Sequence, residues 1–365
     1  MATIAQPVEA ARADNIVTRE RLYGSAARWR RFGEPTPPGA SLKEDGSPDY
    51  GVFGPGTVAW QVLLHPATIV FQFAFQQKLQ LAYKPIAAGI RDRDPISRKA
   101  HQGTLNLFDV FERGQRNCGI HAPMWLADTE SARRVAHHIR NIHAKVAGDV
   151  IDVGNPELGG YAANSPRDAM WAALTEMHSM LWLYESFAFR DGNAPHPLSD
   201  AERDQFVAEV AAYCRLFDSP EDEIPTTMAE LEALYVKYDE YFQPSSTLWI
   251  DPATGANVQH LMGEALARNK HHSQKWVERP VMALFFKYDD AIDGAIPPAY
   301  RKYLALTEEQ DAQATRALTE KLGNIRRMQG PRSEQHYMKL MWGPDATALI
   351  EAARKLQAQA KQGAA

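Results

Sequence analysis

The sequence predicts an all-α protein built as one mostly helical globular domain. Segments that fit the capping box, a Ser or Thr followed three residues later by an acidic residue or a glutamine, recur along the chain. These segments begin at Ser165, Ser199, Thr227 and Thr307. Apolar residues recur at helical spacing through the same regions, and the alternation typical of strands is scarce. Together these observations favour helices along most of the chain.

The chain divides into three parts. Residues 1–57 combine a short N-terminal helix, expected within residues 1–31, with an arm over 33–57 that is dense in Pro and Gly. A helical body is expected over 58–345. Residues 346–365 are rich in Gln and Ala and predict a terminal helical tail.

The composition excludes several classes of protein. Hydrophobic residues make up 45% of the chain, which is enough for a sizeable core. The 40 basic and 45 acidic residues give a net charge of -5, so nucleic acid is not expected as a partner. Two cysteines, Cys118 and Cys214, are too few for a disulfide framework, and the absence of a C-x-x-C motif argues against most zinc sites.

No membrane or secretion signal is visible. The N-terminus has no apolar stretch after a basic patch, so a cytoplasmic location is expected. The most apolar window, residues 57–75, is interrupted by Gln61, Gln72 and the pair His65 and Pro66. Because a lipid-exposed helix tolerates such residues poorly, this window is interpreted as buried core and not as a transmembrane segment.

Residues 131–148 predict an amphipathic helix that carries a histidine on its inner face. The residues of that face, spaced by three and four, are Ala132, Ala136, Ile139, His143 and Val146. A histidine in such a stripe is most often a hydrogen-bonded core residue. It is less often a ligand for a metal or cofactor, and the spacing alone favours the first interpretation.

The preceding helix places charged and polar groups on one side. Asp109, Arg113, Arg116 and Asn117 share this side of the segment that ends near Trp125. The simpler interpretation is a solvated face with an Asp109–Arg113 ion pair four residues apart. In the alternative, one or both guanidinium groups lie over a pocket and bind an anionic or oxygen-bearing ligand.

A third helix, expected from about 166 to 188, mixes large apolar groups with polar ones on a broad face. Trp171, Thr175 and His178 lie on this face with several leucines. Aromatic residues at this spacing are more often core than a cofactor site. A pocket wall is the alternative, since ligand sites are mostly apolar with a few polar groups.

Common catalytic motifs are absent. The sequence contains no G-x-S-x-G, G-x-G-x-x-G, phosphate-binding P-loop or H-E-x-x-H motif. Their absence lowers the case for an esterase, a dinucleotide-dependent dehydrogenase, a nucleotide hydrolase and a zinc protease.

Several blocks, taken together and in order, resemble the rubber-oxygenase and MpaB-like family. The resemblance runs from about residue 60 to 330. The blocks are LLHPA at 63–67, ADTESARRVAHHIRNIHAKVAG at 127–148, PLSDAERDQFVAEVAAYCRLFDSPEDEIPTTMAELEAL at 197–234 and ERPVMALFFKYDDAIDGAIPPAYRKYLAL at 278–306.

The resemblance implies a mostly helical domain around a buried haem b that activates dioxygen and oxidises a hydrophobic substrate. It assigns the axial iron ligand to His143 in the His-Ala-x-Val block. The distal positions correspond to Arg113, Arg116 and Asn117, where Asn replaces the family's threonine; a gapped placement around Arg98, Lys99 and Thr104 competes.

The same resemblance implies that the third helix lines the haem. Trp171 and Thr175 match family positions on this helix, and His178 is the reserve candidate for the iron. Two further positions depart from the pattern: Ala147 stands where many relatives have arginine, and Ala173 where many have histidine.

The sequence therefore predicts a haem-b-dependent oxygenase that uses O2 or peroxide on a hydrophobic small molecule. Two alternatives stay open at this point: a haem- or lipid-binding helical module without enzymatic activity, and a scaffold of this family that has lost its haem. The residues indicate neither the particular substrate nor the oligomeric state.

Overall fold

The computed structural model describes residues 32–152, 154–269 and 287–363. The N-terminal helix expected within 1–31 and residues 278–286 of the last family-like block lie outside these ranges. The α-helices are α1 (Val58–Leu63), α2 (Pro66–Ala82), α3 (Lys84–Arg93), α4 (Pro95–His101), α5 (Leu107–Leu126), α6 (Thr129–His143), α7 (Pro166–Phe187), α8 (Asp200–Arg215), α9 (Met228–Lys237), α10 (Asp239–Phe242), α11 (Val258–Arg268), α12 (Asp289–Ala295), α13 (Pro298–Arg301), α14 (Glu308–Met328), α15 (Pro331–Tyr337) and α16 (Gly343–Gly363).

The all-α prediction is confirmed, because the described part adds only short elements to these helices. Two strands, β1 (Ala147–Asp149) and β2 (Gly160–Ala162), pair antiparallel with Gly148 opposite Tyr161. Short 3-10 turns span Pro156–Leu158 and Lys302–Leu304, and a π-helical turn spans Met338–Trp342.

The helix predicted over 131–148 is shorter than expected. It ends at His143, and the chain turns into β1 within four residues. A Cβ at Gly148 would lie 2.9 Å from the Tyr161 hydroxyl, so a glycine is needed for this close pairing. Val146 therefore lies beyond the helix, although His143 keeps its place on the last turn.

Local capping chemistry fixes the starts of the long helices as the sequence predicts. Ser199 and Thr307 each form a complete capping box with the residue three positions later. At Ser165 and Thr227 only half of the box forms: each side chain accepts a hydrogen bond from the backbone amide three residues later, and no bond returns from that residue's side chain. A further complete box, Asn106 with Asp109, begins α5.

Helix α7 forms the centre of the molecule. It is buried along nearly its whole length and on all sides, from Asp168 to Phe187. Its longest contact is with α2, and α8, α12 and α1 pack around it. A helix with no solvated face belongs inside a bundle, and the other helices therefore form a shell around α7.

Gly114 allows α5 to approach α2 closely. A Cβ at this position would lie 2.8 Å from the Phe73 ring and 3.0 Å from Met341. The conformational cost of a glycine inside a helix is offset here by close helix packing. Gly114 lowers the local stability of the helix, but its close neighbours leave no room for a larger residue.

The arm and the tail pack onto the helical body. The Thr36 backbone amide donates to the Ser131 hydroxyl at 2.9 Å, and the Thr129 hydroxyl donates to Asp49 at 2.7 Å. Helix α16 covers α5 with a buried apolar stripe. The Gly56 amide joins arm and tail by donating to Gln357 at 2.6 Å.

Apolar runs are confined to lengths that suit a protein core. Among the described helices, none combines the length and the hydropathy that a bilayer crossing requires.

The contact between α12 and α14 gives a test of the packing. A Cβ at Gly294 would overlap the Ala314 carbonyl, whereas a Cβ at Gly323 meets nothing within 4 Å. Gly294→Ala is expected to destabilise the protein by about 2 kcal/mol or more through overpacking. Gly323→Ala is expected to stabilise it by about 0.5–1 kcal/mol. Urea unfolding followed by circular dichroism measures both, and equal midpoints would contradict this description of the contact.

Candidate active site

His143 lies at the outer end of the inner face of α6. Ala132, Val135 and Ala136 are almost fully buried, whereas Ile139 and His143 are half-buried. The predicted stripe is therefore real, but it rises from the core toward the surface along the helix. His143 itself is only partly buried, at the last turn of the helix.

The imidazole of His143 is held in its neutral form. Burial lowers its pKa, and the positive charge of nearby Arg113 lowers it further. No residue in the described ranges hydrogen-bonds to the ring. A neutral imidazole with a free ring nitrogen is the form that binds a metal ion or a haem iron.

Arg113 lies close enough to His143 for its charge to lower the pKa of the imidazole, and part of its guanidinium group is unused. Its Nε donates to the Asp94 carboxylate at 3.1 Å. Within the described ranges its two terminal nitrogens have no acceptor, so they are available to a carboxylate or an oxygen ligand. The predicted Asp109–Arg113 pair is wrong, because Asp109 caps α5 through Asn106 and forms an ion pair with Lys99.

The other distal candidates separate into two groups. Asn117 is half-buried one turn along α5 from Arg113, and its Oδ1 accepts from the Gln72 Nε2 at 2.9 Å. Arg116 is exposed on another side of the helix. Of the competing placement, Arg98 and Thr104 are exposed and Lys99 is bound to Asp109.

The predicted residues of α7 form a different environment. Trp171 and His178 contribute to a cluster of closely packed rings between α7, α9 and α10, called here the aromatic cluster. Its members are Tyr83, Trp171, His178, Trp182, Tyr235, Tyr238, Tyr241, Phe242, Tyr300 and Tyr303. The Thr175 hydroxyl is fully buried and donates to the Trp171 carbonyl at 2.5 Å. These side chains are committed to core contacts in the structure.

His178 does not have the space that an iron-bound macrocycle requires. Its ring lies 4.2 Å from the Trp182 ring between centroids, and its Nδ1 is 3.2 Å from the Tyr235 hydroxyl. Its Nε2 has no hydrogen-bond partner, and burial lowers its pKa to about 3. Of the two histidine candidates, the geometry favours His143 as the ligand.

The two positions that depart from the family pattern lie in different parts of the structure. Ala147 is exposed in β1, and Ala173 is buried in α7. Neither alanine carries a polar side chain that could bind a ligand near His143.

The carboxylate of Glu176 is the centre of a buried hydrogen-bond network that was not predicted from the sequence. Its Oε1 accepts from the Trp125 indole at 3.1 Å and from the Tyr213 hydroxyl at 2.9 Å. Its Oε2 is 2.7 Å from the His121 Nε2 and accepts from the Gln76 Nε2 at 3.3 Å. The buried carboxylate thus has hydrogen-bond partners on three other helices, α2, α5 and α8.

A sequence signal for this network exists in α5. Polar or aromatic residues with hydrogen-bonding groups recur every four positions along one stripe of the helix: Arg113, Asn117, His121 and Trp125. The stripe runs from Arg113, whose charge lowers the pKa of His143, inward to Glu176. It connects the candidate site with the centre of the molecule.

The third component is a row of hydrogen-bonded glutamines on α2, called here the glutamine ladder. Gln72, Gln76 and Gln80 lie one turn apart, and each donates from its Nε2 to the Oε1 of the next. Gln80 donates in turn to the Ala172 carbonyl of α7 at 3.1 Å. Gln72 and Gln76 are almost fully buried.

The side chains around His143 suit a haem better than a bare metal ion. Within the described ranges, no group of three or more His, Cys, Asp or Glu side chains could hold a metal ion. A haem would need one imidazole for its iron, for which His143 is the candidate, and a cation for its carboxylates, for which Arg113 is the candidate. The residues present therefore fit a haem held by a single histidine.

A shallow depression elsewhere on the surface is not this site. It is lined by residues around β2 and the start of α7, and Arg167 and Glu223 are its charged members. Both are already bound, Arg167 to Asp168 and Glu223 to Lys237. Neither His143 nor Arg113 lines it.

Burial of His178 predicts a measurable acid sensitivity. Between pH 6.5 and about 3 the unfolded chain binds a proton at this position and the folded chain does not, so stability falls as the pH drops through this range. His178→Phe is expected to reduce that loss by up to about 1.4 kcal/mol per pH unit. His137→Phe, at an exposed position of α6, is the control and keeps the wild-type slope. Denaturant unfolding at several pH values measures the slopes, and an unchanged slope for His178→Phe would contradict the burial.

Comparison with known proteins places the chain in a family. The family described as "ER-bound oxygenase mpaB/B'/Rubber oxygenase, catalytic domain" matches residues 60–327. No curated protein and no solved structure matches the chain. The matched region spans α2 to α14 and includes His143, Arg113 and the Glu176 network. Because the match covers more than half of the sequence, the chain belongs to the MpaB and rubber-oxygenase family and carries its oxygenase catalytic domain.

Proposed function

We propose that the protein is a haem-b-dependent oxygenase that uses O2 or peroxide to oxidise a hydrophobic small molecule, with His143 as the axial ligand of the iron. The observation that carries this proposal is the partly buried imidazole of His143, which lacks a hydrogen-bond partner among the described residues and whose pKa is lowered by burial and by the charge of Arg113. It lies in a chain that belongs to an oxygenase family.

The roles of the residues follow from their chemistry. His143 offers a ring nitrogen to the iron, and the haem is held without covalent attachment because the sequence has no C-x-x-C-H motif. When bound, the haem supplies the activation of oxygen. The terminal nitrogens of Arg113 bind a haem carboxylate or an oxygen atom of the ligand, and Asp94 fixes the plane of the guanidinium group through Nε.

A hydrophobic substrate is supported by apolar side chains on the last turns of α6. Ile139 is half-buried one turn before His143, and Ile142 is 52% exposed on the same helix end. An apolar molecule can cover these groups and gain the free energy of removing their surface from water.

The orientation of Arg113 is fixed before a ligand binds. Arg113 is half-exposed and already oriented by Asp94, so an oxygen-bearing ligand meets a fixed donor and needs little rearrangement of the protein. The cytoplasmic location expected from the sequence stays a prediction beside this proposal.

The axial assignment is tested by removing one imidazole. Wild-type protein purified from haem-supplemented cells is expected to bind about one haem per chain, measured by the Soret band and a pyridine haemochrome assay. His143→Ala is expected to lose the Soret band because the proposed ligand of the iron has been removed. His137→Ala removes an exposed histidine of the same helix and keeps full haem content.

Each alternative has its own outcome in this experiment. Full haem content in folded His143→Ala would refute the axial assignment. A folded wild-type protein that takes up no haem would point to a scaffold that has lost the cofactor. A wild-type protein that binds haem but consumes no O2 or peroxide with any apolar candidate would point to a carrier.

A further inference from the structure

The aromatic cluster consists mainly of the two side chains that lose an electron most easily. Of its ten residues, six are tyrosines and two are tryptophans, whereas one is a phenylalanine. The whole chain has 14 Phe and 13 Tyr, so phenylalanine is not scarce. A phenylalanine ring fills nearly the same space as tyrosine and buries no hydroxyl. The composition of the cluster therefore indicates a use for phenols and indoles beyond packing.

Three members form a short path across the cluster. The Tyr83 and Trp171 ring centroids lie 5.8 Å apart, and those of Trp171 and Tyr238 lie 5.6 Å apart. Tyr83 and Trp171 are fully buried, whereas Tyr238 is half-buried at the surface. The Trp171 indole N–H has no hydrogen-bond partner among the described residues, so an oxidised indole has no acceptor there for its proton. Trp171 can therefore pass an electron between the two tyrosines without becoming the end point.

The phenols at both ends of the path have proton acceptors. The Tyr83 hydroxyl donates to Asp168 at 2.8 Å, and the Tyr238 hydroxyl donates to Glu223 at 2.6 Å. A tyrosine that loses an electron becomes a strong acid, so its proton moves to the carboxylate and leaves a neutral phenoxyl radical and a carboxylic acid. Burial and the hydrogen-bonded carboxylate raise the pKa of Tyr238 to about 12, so the phenol keeps its proton at neutral pH until an electron leaves.

The neighbouring ring of Tyr241 is a poorer end point than Tyr238. Its centroid lies 6.0 Å from that of Tyr83, and it is also half-buried. Cations lie near both rings, Arg167 at 4.6 Å from the Tyr241 centroid and Lys237 at 5.2 Å from that of Tyr238. The Tyr241 hydroxyl, however, accepts from Arg167 at 2.8 Å, so a cation faces it and not a carboxylate. The proton acceptor therefore favours Tyr238.

The buried end of the path lies near the proposed ligand of the haem. The carbonyl of Val146, three residues after that ligand, accepts from the Ala163 amide at 2.9 Å. The preceding amide, of Ala162, donates at 3.0 Å to Asp168, the partner of Tyr83. These contacts in series place the Tyr83 hydroxyl within about 15 Å of the Val146 carbonyl. Electrons move between redox centres in proteins over distances of this order.

We propose that the aromatic cluster is a path for one-electron oxidation, which carries oxidising equivalents from the haem through Tyr83 and Trp171 to Tyr238 at the surface. This inference rests on the proposed function for the oxidant, which is peroxide acting through the haem. One peroxide takes two electrons and two protons from two phenols and leaves two waters and two phenoxyl radicals. A dissolved reductant, such as ascorbate or a thiol, returns an electron and a proton to Tyr238. Without bound substrate, the path removes oxidising equivalents that would otherwise damage the haem.

The path is tested first in full-length protein without haem. A ruthenium photosensitiser is attached at Lys145→Cys, two residues after His143, because Lys145 is exposed and both natural cysteines are buried. The protein also carries Tyr161→Phe, since Tyr161 lies next to Gly148 and could be oxidised directly. A light flash with a dissolved electron acceptor oxidises the photosensitiser. A dissolved radical trap then labels any accessible phenoxyl radical, and mass spectrometry locates the labelled residue.

The label is expected on Tyr238, and Trp171→Phe is expected to lose most of it because phenylalanine does not pass the electron on. Trp60→Phe makes the same change at a fully buried tryptophan outside the cluster and keeps the label. Label on Tyr241 in place of Tyr238, no label on either, or an unchanged yield in folded Trp171→Phe would each overturn the proposal.

A milder variant tests the proton acceptor. Glu223→Gln leaves the rings in place but cannot take the phenol proton, so the yield of label on Tyr238 is expected to fall several-fold. Glu221→Gln makes the same change at an exposed carboxylate that binds Arg215, and it keeps the full yield. Equal yields in these two variants would refute the role of Glu223 and, with it, Tyr238 as the end point.

The same label connects the path to the haem. Haem-loaded protein is treated with peroxide and the trap in the absence of substrate, and the bleaching of the Soret band is followed. The wild type is expected to carry the label on Tyr238, and Trp171→Phe is expected to lose the label and bleach several-fold faster than Trp60→Phe. An unlabelled wild type that has reacted with peroxide would overturn the proposal. A wild type without haem refutes the proposed function instead, while the flash experiment still tests the path.

Discussion

The structure depends on one buried carboxylate. Glu176 sits in the central helix, α7, and removing its charge from water costs several kcal/mol. That cost is offset only if every lone pair finds a donor, and the donors come from three neighbouring helices. Because α2, α5 and α8 must each present a group at a fixed position, the carboxylate sets how these helices stand against α7. An apolar residue at this position would make no directional contacts and would not fix the relative positions of these helices.

The candidate site takes its geometry from this arrangement. The inner stripe of α5 is bound to Glu176 at its buried end, and the outer end of the same stripe carries Arg113, whose charge lowers the pKa of His143. Helix α2 approaches α5 closely at Gly114, which brings the glutamine ladder within hydrogen-bonding distance of Asn117. The candidate site is thus built on closely packed helices, although His143 itself is only partly buried at a helix end. A ligand site benefits from polar groups that are held in fixed positions.

The sequence predicted the features that depend on nearby residues. Capping at Ser199 and Thr307 needs only the next few side chains, and the inner face of α6 follows from spacing alone. Contacts between distant segments could not be predicted: Glu176 is hydrogen-bonded to Tyr213 and Gln76, which are 37 and 100 residues away in the sequence. The partner of Arg113 was misjudged for the same reason, because Asp94 lies between α3 and α4, 19 residues away, whereas the local Asp109 is bound to Asn106 and Lys99. The early end of α6 likewise depends on pairing between β1 and β2.

The bond between Gly56 and Gln357 joins segments 301 residues apart. Helix α5 leaves the ribosome before α16, which covers it. Until α16 emerges, the apolar side of α5 faces water, and the arm lacks one of its anchors. Packing of this domain therefore cannot be completed before α16 has been made, and until then the uncovered surface of α5 can associate with other chains.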